Sequence, residues 1–273
     1  MSQKGGLTIQ VVATSRRGLN LPSCGCPAVE PEEPMDEQPV HTISYRFKFP
    51  TFTKDFVVRL DKETLLIDLP RRPNPPAWTE MKSFQCEHCP LDATQVTHCP
   101  VAVNLVELID FFSEFISHEK VQLEIETPER SYSKHASLQS AMSSLLGIYM
   151  VTSGCPIMSR LKPMVRFHLP FASLEETRYR AMSMYLMAQY FLYRQGKPAD
   201  WSLAGLVKIY DDIRTVNLNF FNKMTAMKVR DAGLNAISIL DSFADFTRSS
   251  IDYEMTDDIM KLFDAYLGPI PPG

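Results

Sequence analysis

Residues 41–60, HTISYRFKFPTFTKDFVVRL, alternate aromatic or β-branched residues with polar ones on both sides of a proline. Two-residue alternation is typical of strands that bury one face of a sheet. Residues 64–69, TLLIDL, follow a short turn, so this region predicts two or three antiparallel strands. The alternation returns at Val121, Leu123 and Ile125, which predicts one more strand. This part of the chain therefore predicts a small antiparallel sheet.

A helix is predicted between these strands, because Leu105, Leu108, Ile109 and Phe112 recur at helical spacing. Helical periodicity then dominates from residue 137 onward, and Asp200 and Asp231 suit helix N-caps. The fold class that we expect is α+β, a small antiparallel sheet with one helix, followed by an all-helical bundle. The predicted bundle helices are residues 137–152, 173–194, 201–228, 231–249 and 254–266.

The segment before the sheet has a different composition. Residues 27–39, PAVEPEEPMDEQP, contain four prolines and five acidic residues and no basic one. Such a segment cannot bury enough apolar surface to offset its chain entropy. We therefore expect three regions. These are a disordered tail with an acidic, proline-rich linker (residues 1–39), a small α+β domain with a cysteine-rich metal loop (40–135) and a helical bundle domain (136–273).

Composition limits the function classes. Lys and Arg number 28 against 32 Asp and Glu, and no basic block suited to a nucleic-acid backbone occurs. No stretch reads as a membrane span or a secretory leader. Six cysteines are too few and too uneven for a disulfide scaffold. We expect a soluble cytoplasmic chain that binds neither nucleic acid nor membrane.

Residues 86–100, CEHCPLDATQVTHCP, concentrate soft metal ligands. Two-residue spacing lets the thiolates of Cys86 and Cys89 converge on one ion, and Cys99 supplies a third ligand. The fourth ligand is open: His88 and His98 lie in the loop, whereas Cys155 lies in a Gly-Cys-Pro turn between two predicted helices. Use of Cys155 would fasten the bundle to the sheet domain.

The metal identity is open as well. Zinc suits such thiolate sites, but four cysteines also hold iron-sulfur clusters, and buried reduced cysteines can pack as small apolar side chains without any metal. Cys24 and Cys26 belong to the predicted tail, and we interpret them as exposed thiols.

Several motifs carry a resemblance to a known family: FQCEHCPL, HCPVAVNL, SSLLGIYMVTSGCP, MVRFHLPFA and EETRYRAMSMYL. With them, residues 40–250 resemble an uncharacterised, mainly proteobacterial domain-of-unknown-function family. The resemblance implies that Cys86, Cys89, Cys99 and Cys155 occupy family motif positions, which favours a four-thiolate site. It implies no activity, because none is established for the family.

Arg214 and Asn217 lie in the apolar stripe of the helix predicted over residues 201–228. A buried arginine needs a partner, and Asp241 or the pair Glu175 and Glu176 could supply a carboxylate. The first interpretation is a structural ion pair. The alternative is an anionic-ligand pocket between helices, with Arg214 as anchor and His168 as a contributor.

One helix combines methionines and tyrosines, and their spacing predicts a core position rather than a binding surface. A homodimer through that helix remains an alternative. The residues are Tyr179, Met182, Met184, Tyr185, Met187, Tyr190 and Tyr193.

Three functions follow. The first is a metal-binding protein with a structural zinc site at Cys86, Cys89, Cys99 and Cys155, acting through a protein partner or a small ligand. The second is a zinc enzyme with an open site of three cysteines that activates water beside His168 or His98. The third is an iron-sulfur redox protein. The sequence leaves open whether the chain is an enzyme.

Overall fold

Four antiparallel strands form the predicted sheet. The structure is a computed structural model that describes residues 40–70, 72–227, 231–252 and 256–268. The predicted tail, with Cys24 and Cys26, lies outside these residues. The strands are β1 (Val40–Lys48), β2 (Thr53–Asp61), β3 (Lys120–Glu126) and β4 (Ser131–Ser137), in the spatial order β2-β1-β3-β4.

The alternation along the strands decides which face of the sheet is buried. Ile43, Tyr45 and Phe47 of β1 are completely buried. The opposite face carries charged pairs such as Arg46 and Asp55, whose Nε and Oδ1 atoms lie 3.1 Å apart. One face of the sheet is therefore part of the core, as the sequence predicts.

Helices cover the buried face and extend beyond it. Helix α3 contacts β3 and β4 as well as α7, and α7 also packs against α5 and α6. This arrangement confirms the α+β class. The helices are α1 (Met81–Phe84), α2 (Pro100–Phe112), α3 (Leu138–Val151), α4 (Lys162–Arg166), α5 (Leu174–Arg194), α6 (Ala204–Ala226), α7 (Asp231–Asp252), α8 (Asp257–Met260) and α9 (Asp264–Leu267).

Of the two or three strands predicted in this region two form, and residues 64–69 are not a strand. Asp61 Oδ1 accepts a hydrogen bond from the backbone N–H of Thr64 at 2.7 Å, and Leu65 adopts a positive φ of 53°. The turn brings the chain back beside the end of β2, where the backbone N–H of Asp68 donates to the Arg59 carbonyl at 2.8 Å, but the pairing stops at one isolated bridge between Leu60 and Ile67. The sequence predicted one strand around Leu123, whereas the structure has two strands in this region, β3 and β4.

The end of the bundle also differs from the prediction. The described residues between 256 and 268 form α8, a short 3-10 helix (Lys261–Phe263) and α9 instead of one helix over residues 254–266. The helix predicted from residue 201 begins at Ala204, because Leu203 has a positive φ of 66°. Leu203 and not Asp200 is thus the N-cap residue, but Asp200 still serves the start of the helix, since its Oδ2 accepts from the backbone N–H of Gly205 at 2.8 Å.

The methionine and tyrosine helix, α5, is only partly in the core. Tyr185 is buried, but Tyr179, Met187, Tyr190 and Tyr193 are exposed. The prediction of a core position is wrong for these four, because only one face of α5 packs against α7. The homodimer stays a prediction.

The described residues between 40 and 268 group into one compact unit. The division of this region at residue 135 stays a prediction. Within the described ranges, no helix combines the length and the apolar character needed to cross a bilayer.

Candidate functional site

Cys86 and Cys89 lie in a turn that follows α1. The backbone N–H of Cys89 donates to the carbonyl of Cys86 at 3.1 Å, which closes the turn. Asn219 of α6 holds the beginning of this turn. Its Nδ2 atom donates to the Phe84 carbonyl at 2.9 Å and lies 3.5 Å from Cys86 Sγ. The Cys86 thiol therefore lies beside α6.

Cys99 immediately precedes α2, with Pro100 as the first helical residue. Proline suits this position because its missing N–H would have no partner in the helix. The backbone N–H of Cys99 donates to the Thr79 carbonyl at 2.8 Å, and the residue is only 8% exposed. The start of α2 thus holds a third, buried thiol.

Cys155 follows α3 in the predicted Gly-Cys-Pro turn. Gly154 has a φ of 91°, a conformation that favours glycine, and it redirects the chain after the helix. The Cys155 carbonyl accepts from the backbone N–H of Ser159 at 2.9 Å, and the residue is 6% exposed. The fourth thiol is therefore fixed by the backbone on both sides.

All four cysteines line one cavity of about 10 Å³, about the space of a single water-sized sphere. All four are free thiols. In the part of the chain that the structure describes, no three Cys, His, Asp or Glu side chains are arranged to hold a metal ion. The geometry is that of neighbouring thiols around a small space. The other lining residues are Met81, Phe84, Gln85, Leu91, Pro100, Val101, Ile157, Val216 and Phe220.

Burial raises the pKa of the Cys86 thiol to about 12, and the neighbouring cysteines add to this rise. Burial likewise raises the pKa of Cys99 to about 11, although the backbone N–H groups of Ala102 and Val101 oppose it. The pKa of Cys155 is raised for the same reason. Such thiols stay protonated at neutral pH unless a cation stabilises the thiolate.

The loop histidines do not line this cavity. His98 Nδ1 lies 2.7 Å from Thr79 Oγ1, a hydrogen-bonding distance. His88 Nε2 lies 3.6 Å from a carboxylate oxygen of Asp212 in α6. Of the candidates for the fourth position, Cys155 is the one that the structure places beside the other three cysteines.

Arg214 and His168 belong to different surroundings. Arg214 lies between two carboxylates of α7, with Nε 3.4 Å from Asp241 Oδ1 and Nη1 2.7 Å from Asp245 Oδ1. The predicted ion pair with Asp241 is therefore confirmed. Arg214 does not line either of the cavities that His168 lines; Arg180 does. The structure does not bring the two predicted anchors together.

His168 contacts two hydroxyl groups. Its Nε2 atom lies 2.6 Å from Tyr45 Oη and 3.3 Å from Ser144 Oγ. Burial, assisted by the charge of Arg180, lowers the pKa of His168 to about 3, so the ring is neutral. No sequence spacing pointed to Tyr45, Ser144 or Arg180, because they come together only when α3 and α5 pack near the sheet.

A comparison with known families gives one match. A family model described as Domain of unknown function (DUF6901) matches residues 43–264. No curated protein and no solved structure matches the chain. The match confirms the resemblance to a family of unknown function, and the bacterial distribution of that family stays a prediction.

Proposed function

We propose that this chain, which belongs to the family described as Domain of unknown function (DUF6901), binds one zinc ion through Cys86, Cys89, Cys99 and Cys155. The observation that carries the proposal is that these thiols, from two distant parts of the chain, line the same small cavity. The zinc ion would act as a structural staple between the cysteine loop and the turn after α3.

Zinc fits the chemistry of these donors. Structural zinc sites are tetrahedral with four thiolates at about 2.3 Å. Binding requires the four sulfur atoms to lose their protons and to move towards a common centre. The loop after α1 can adjust, because the residues between Phe84 and Pro100 form no helix of their own. Metal binding free energy would then order that loop.

A structural role is favoured over a catalytic one. A catalytic zinc site keeps one position open for water or substrate. Here Cys155 lines the cavity with the other three cysteines, and neither His98 nor His168 does. An iron-sulfur cluster remains the second candidate, because it would use the same four thiolates.

The staple would maintain a fold that acts by binding a protein partner or a small ligand. We place this activity in the cytoplasm, since the four cysteines are free thiols and reducing compartments preserve them.

The first prediction concerns metal content. We expect the purified full chain to contain about one zinc per molecule, measured by elemental analysis after anaerobic purification. Cys155→Ser should lower the zinc content severalfold, because serine is a poor zinc ligand. If the chain instead contains iron and absorbs visible light, the four cysteines hold an iron-sulfur cluster and not zinc.

Val216→Ala is the matched control, because Val216 lines the same cavity without a metal-binding atom. It should retain its zinc while losing stability. Absence of both metals from the wild-type chain would contradict the proposal. Full zinc retention by Cys155→Ser would contradict the four-cysteine site.

A further inference from the structure

A second cavity lies between α3, α7 and the segment around α4. It has a volume of about 280 Å³, close to the lower end of the range for small-molecule sites. Apolar side chains of α3 and α7, among them Ile148, Val151, Leu240 and Phe243, form much of its lining. None of its lining residues belongs to the cysteine cavity.

This apolar cavity adjoins a polar space of about 420 Å³, since His168, Leu169 and Arg180 line both. Arg130 and Arg166 also line the polar space. Its lining includes one carboxylate, Glu129, which lies 3.9 Å from Arg166. The polar space is thus lined by three guanidinium groups and by a single carboxylate, that of Glu129.

Arg180 is fixed in position by the end of α4. Its Nη2 atom donates to the carbonyl oxygens of Met164 at 2.9 Å and Phe167 at 2.6 Å. Within the described residues, no carboxylate forms an ion pair with Arg180. The Glu176 carboxylate accepts instead from the backbone N–H of Ser173 at the start of α5.

A partly buried guanidinium without a carboxylate is unfavourable. Burial lowers the pKa of Arg180, which reflects this cost. An anion that accepts hydrogen bonds from Arg180 would offset the free-energy cost of burying this guanidinium, because guanidinium groups bind carboxylates and phosphates strongly. His168 is neutral and adds no charge, so the attraction comes from the three arginines and from Lys134, which lines the apolar cavity.

We propose that the two adjoining cavities together bind an amphipathic anion, with its carboxylate or phosphate head at Arg130, Arg166 and Arg180 and its apolar chain between α3 and α7. The apolar volume accommodates a chain of about nine carbons, since a methylene group is similar in size to a water molecule of about 30 Å³. The site is independent of the zinc proposal.

Calorimetric titration of the full chain tests this inference. The probes are decanoate and decyl phosphate below their micelle concentrations, with decanol and acetate as headless and tailless controls. We expect at least one anionic amphiphile to bind at least about tenfold more tightly than either control. The stronger anionic probe then identifies the head group.

Arg180→Gln should weaken this binding by about 10- to 100-fold, the usual range for a lost charge-assisted hydrogen bond. Arg59→Gln is the matched control, because Arg59 is an exposed arginine of β2. It should bind like the wild type. Ala172→Leu, which narrows the apolar cavity, should weaken decanoate more than acetate.

Affinities for decanoate and decyl phosphate that both equal the affinity for decanol would overturn the inference, and so would equal losses in Arg180→Gln and Arg59→Gln. Lack of binding by every amphiphile at millimolar concentration would overturn it too. Circular dichroism of each variant verifies folding. Metal content measured in the same samples separates this result from the outcome for zinc.

Discussion

At the scale of single residues, Asp200 connects two helices. Its Oδ2 atom accepts from Tyr185 Oη of α5 and from the backbone N–H of Gly205 in α6, both at 2.8 Å. Hydrogen bonds, first from the Ser202 hydroxyl and then from Gly205, lower the pKa of this carboxyl group. One side chain therefore caps α6 and partners the hydroxyl group of a buried tyrosine.

Asp200→Ala should lower the free energy of unfolding by about 1–2 kcal/mol, the usual cost of a lost helix cap. Urea denaturation measures this difference. Because the pKa is lower in the folded state, the stabilisation is complete above about pH 4, the ordinary carboxyl value, and disappears as the pH falls. The gap between the two proteins should narrow accordingly in acid.

Asp68→Ala serves as the control, because Asp68 is an exposed residue in the irregular segment after β2. We expect a change within about 0.5 kcal/mol. Equal effects of the two substitutions would refute a capping role for Asp200.

At the scale of elements, α6 and α7 are joined by charge as well as by apolar packing. Arg214 of α6 lies between Asp241 and Asp245 of α7, and Arg248 of α7 reaches Asp211 of α6 at 2.8 Å. Arg214 is only 30% exposed, so its pairs are partly shielded from water. Arg214 therefore has a structural role, since it links α6 to two carboxylates of α7.

Arg214→Gln should lower the free energy of unfolding by about 1–3 kcal/mol, because it leaves two carboxylates close together without their cation. Urea denaturation gives the loss. Decanoate affinity should not change, since Arg214 lines neither of the cavities around His168. Arg194→Gln, at an exposed position at the end of α5, is the control and should alter neither quantity. A selective loss of decanoate binding in Arg214→Gln would restore the anchor role.

At the scale of the whole molecule, the cysteine cavity connects distant parts of the chain. Cys86, Cys89 and Cys99 come from the segment between the two hairpins, whereas Cys155 follows α3. Phe84, beside the loop, packs against Phe220 of α6 with ring centroids 4.5 Å apart. A metal ion here would strengthen an existing contact between regions.

Removal of the metal by a strong chelator should lower the Tm of the wild-type chain by about 5 °C or more. This corresponds to a few kcal/mol, because each kcal/mol shifts Tm by about 2–4 °C in chains of roughly this size. Cys86→Ser should start from a lower Tm and show no further shift on chelation. Identical chelator responses of the two proteins would contradict a stabilising metal at Cys86.

Periodicity and cysteine spacing predicted much of this molecule. The alternation around Tyr45 identified β1 and its buried face, and the stripe around Leu108 identified α2, because these patterns arise from local backbone geometry. Local turn chemistry was harder to predict, as the positive φ of Leu65 and the displaced start of α6 show. The Gly-Cys-Pro turn nevertheless made Cys155 a candidate for the fourth position.

By itself the sequence determined most of the strands and helices, the α+β class and the cysteine loop, since each depends on neighbours a few positions apart. Only the tertiary structure decided that Cys155 lies beside Cys99, that Arg214 is paired within the bundle, and that Arg180 borders a cavity with an excess of positive charge. These contacts join residues far apart in the chain, and they depend on how α3, α5 and α7 pack. No local pattern encodes that packing.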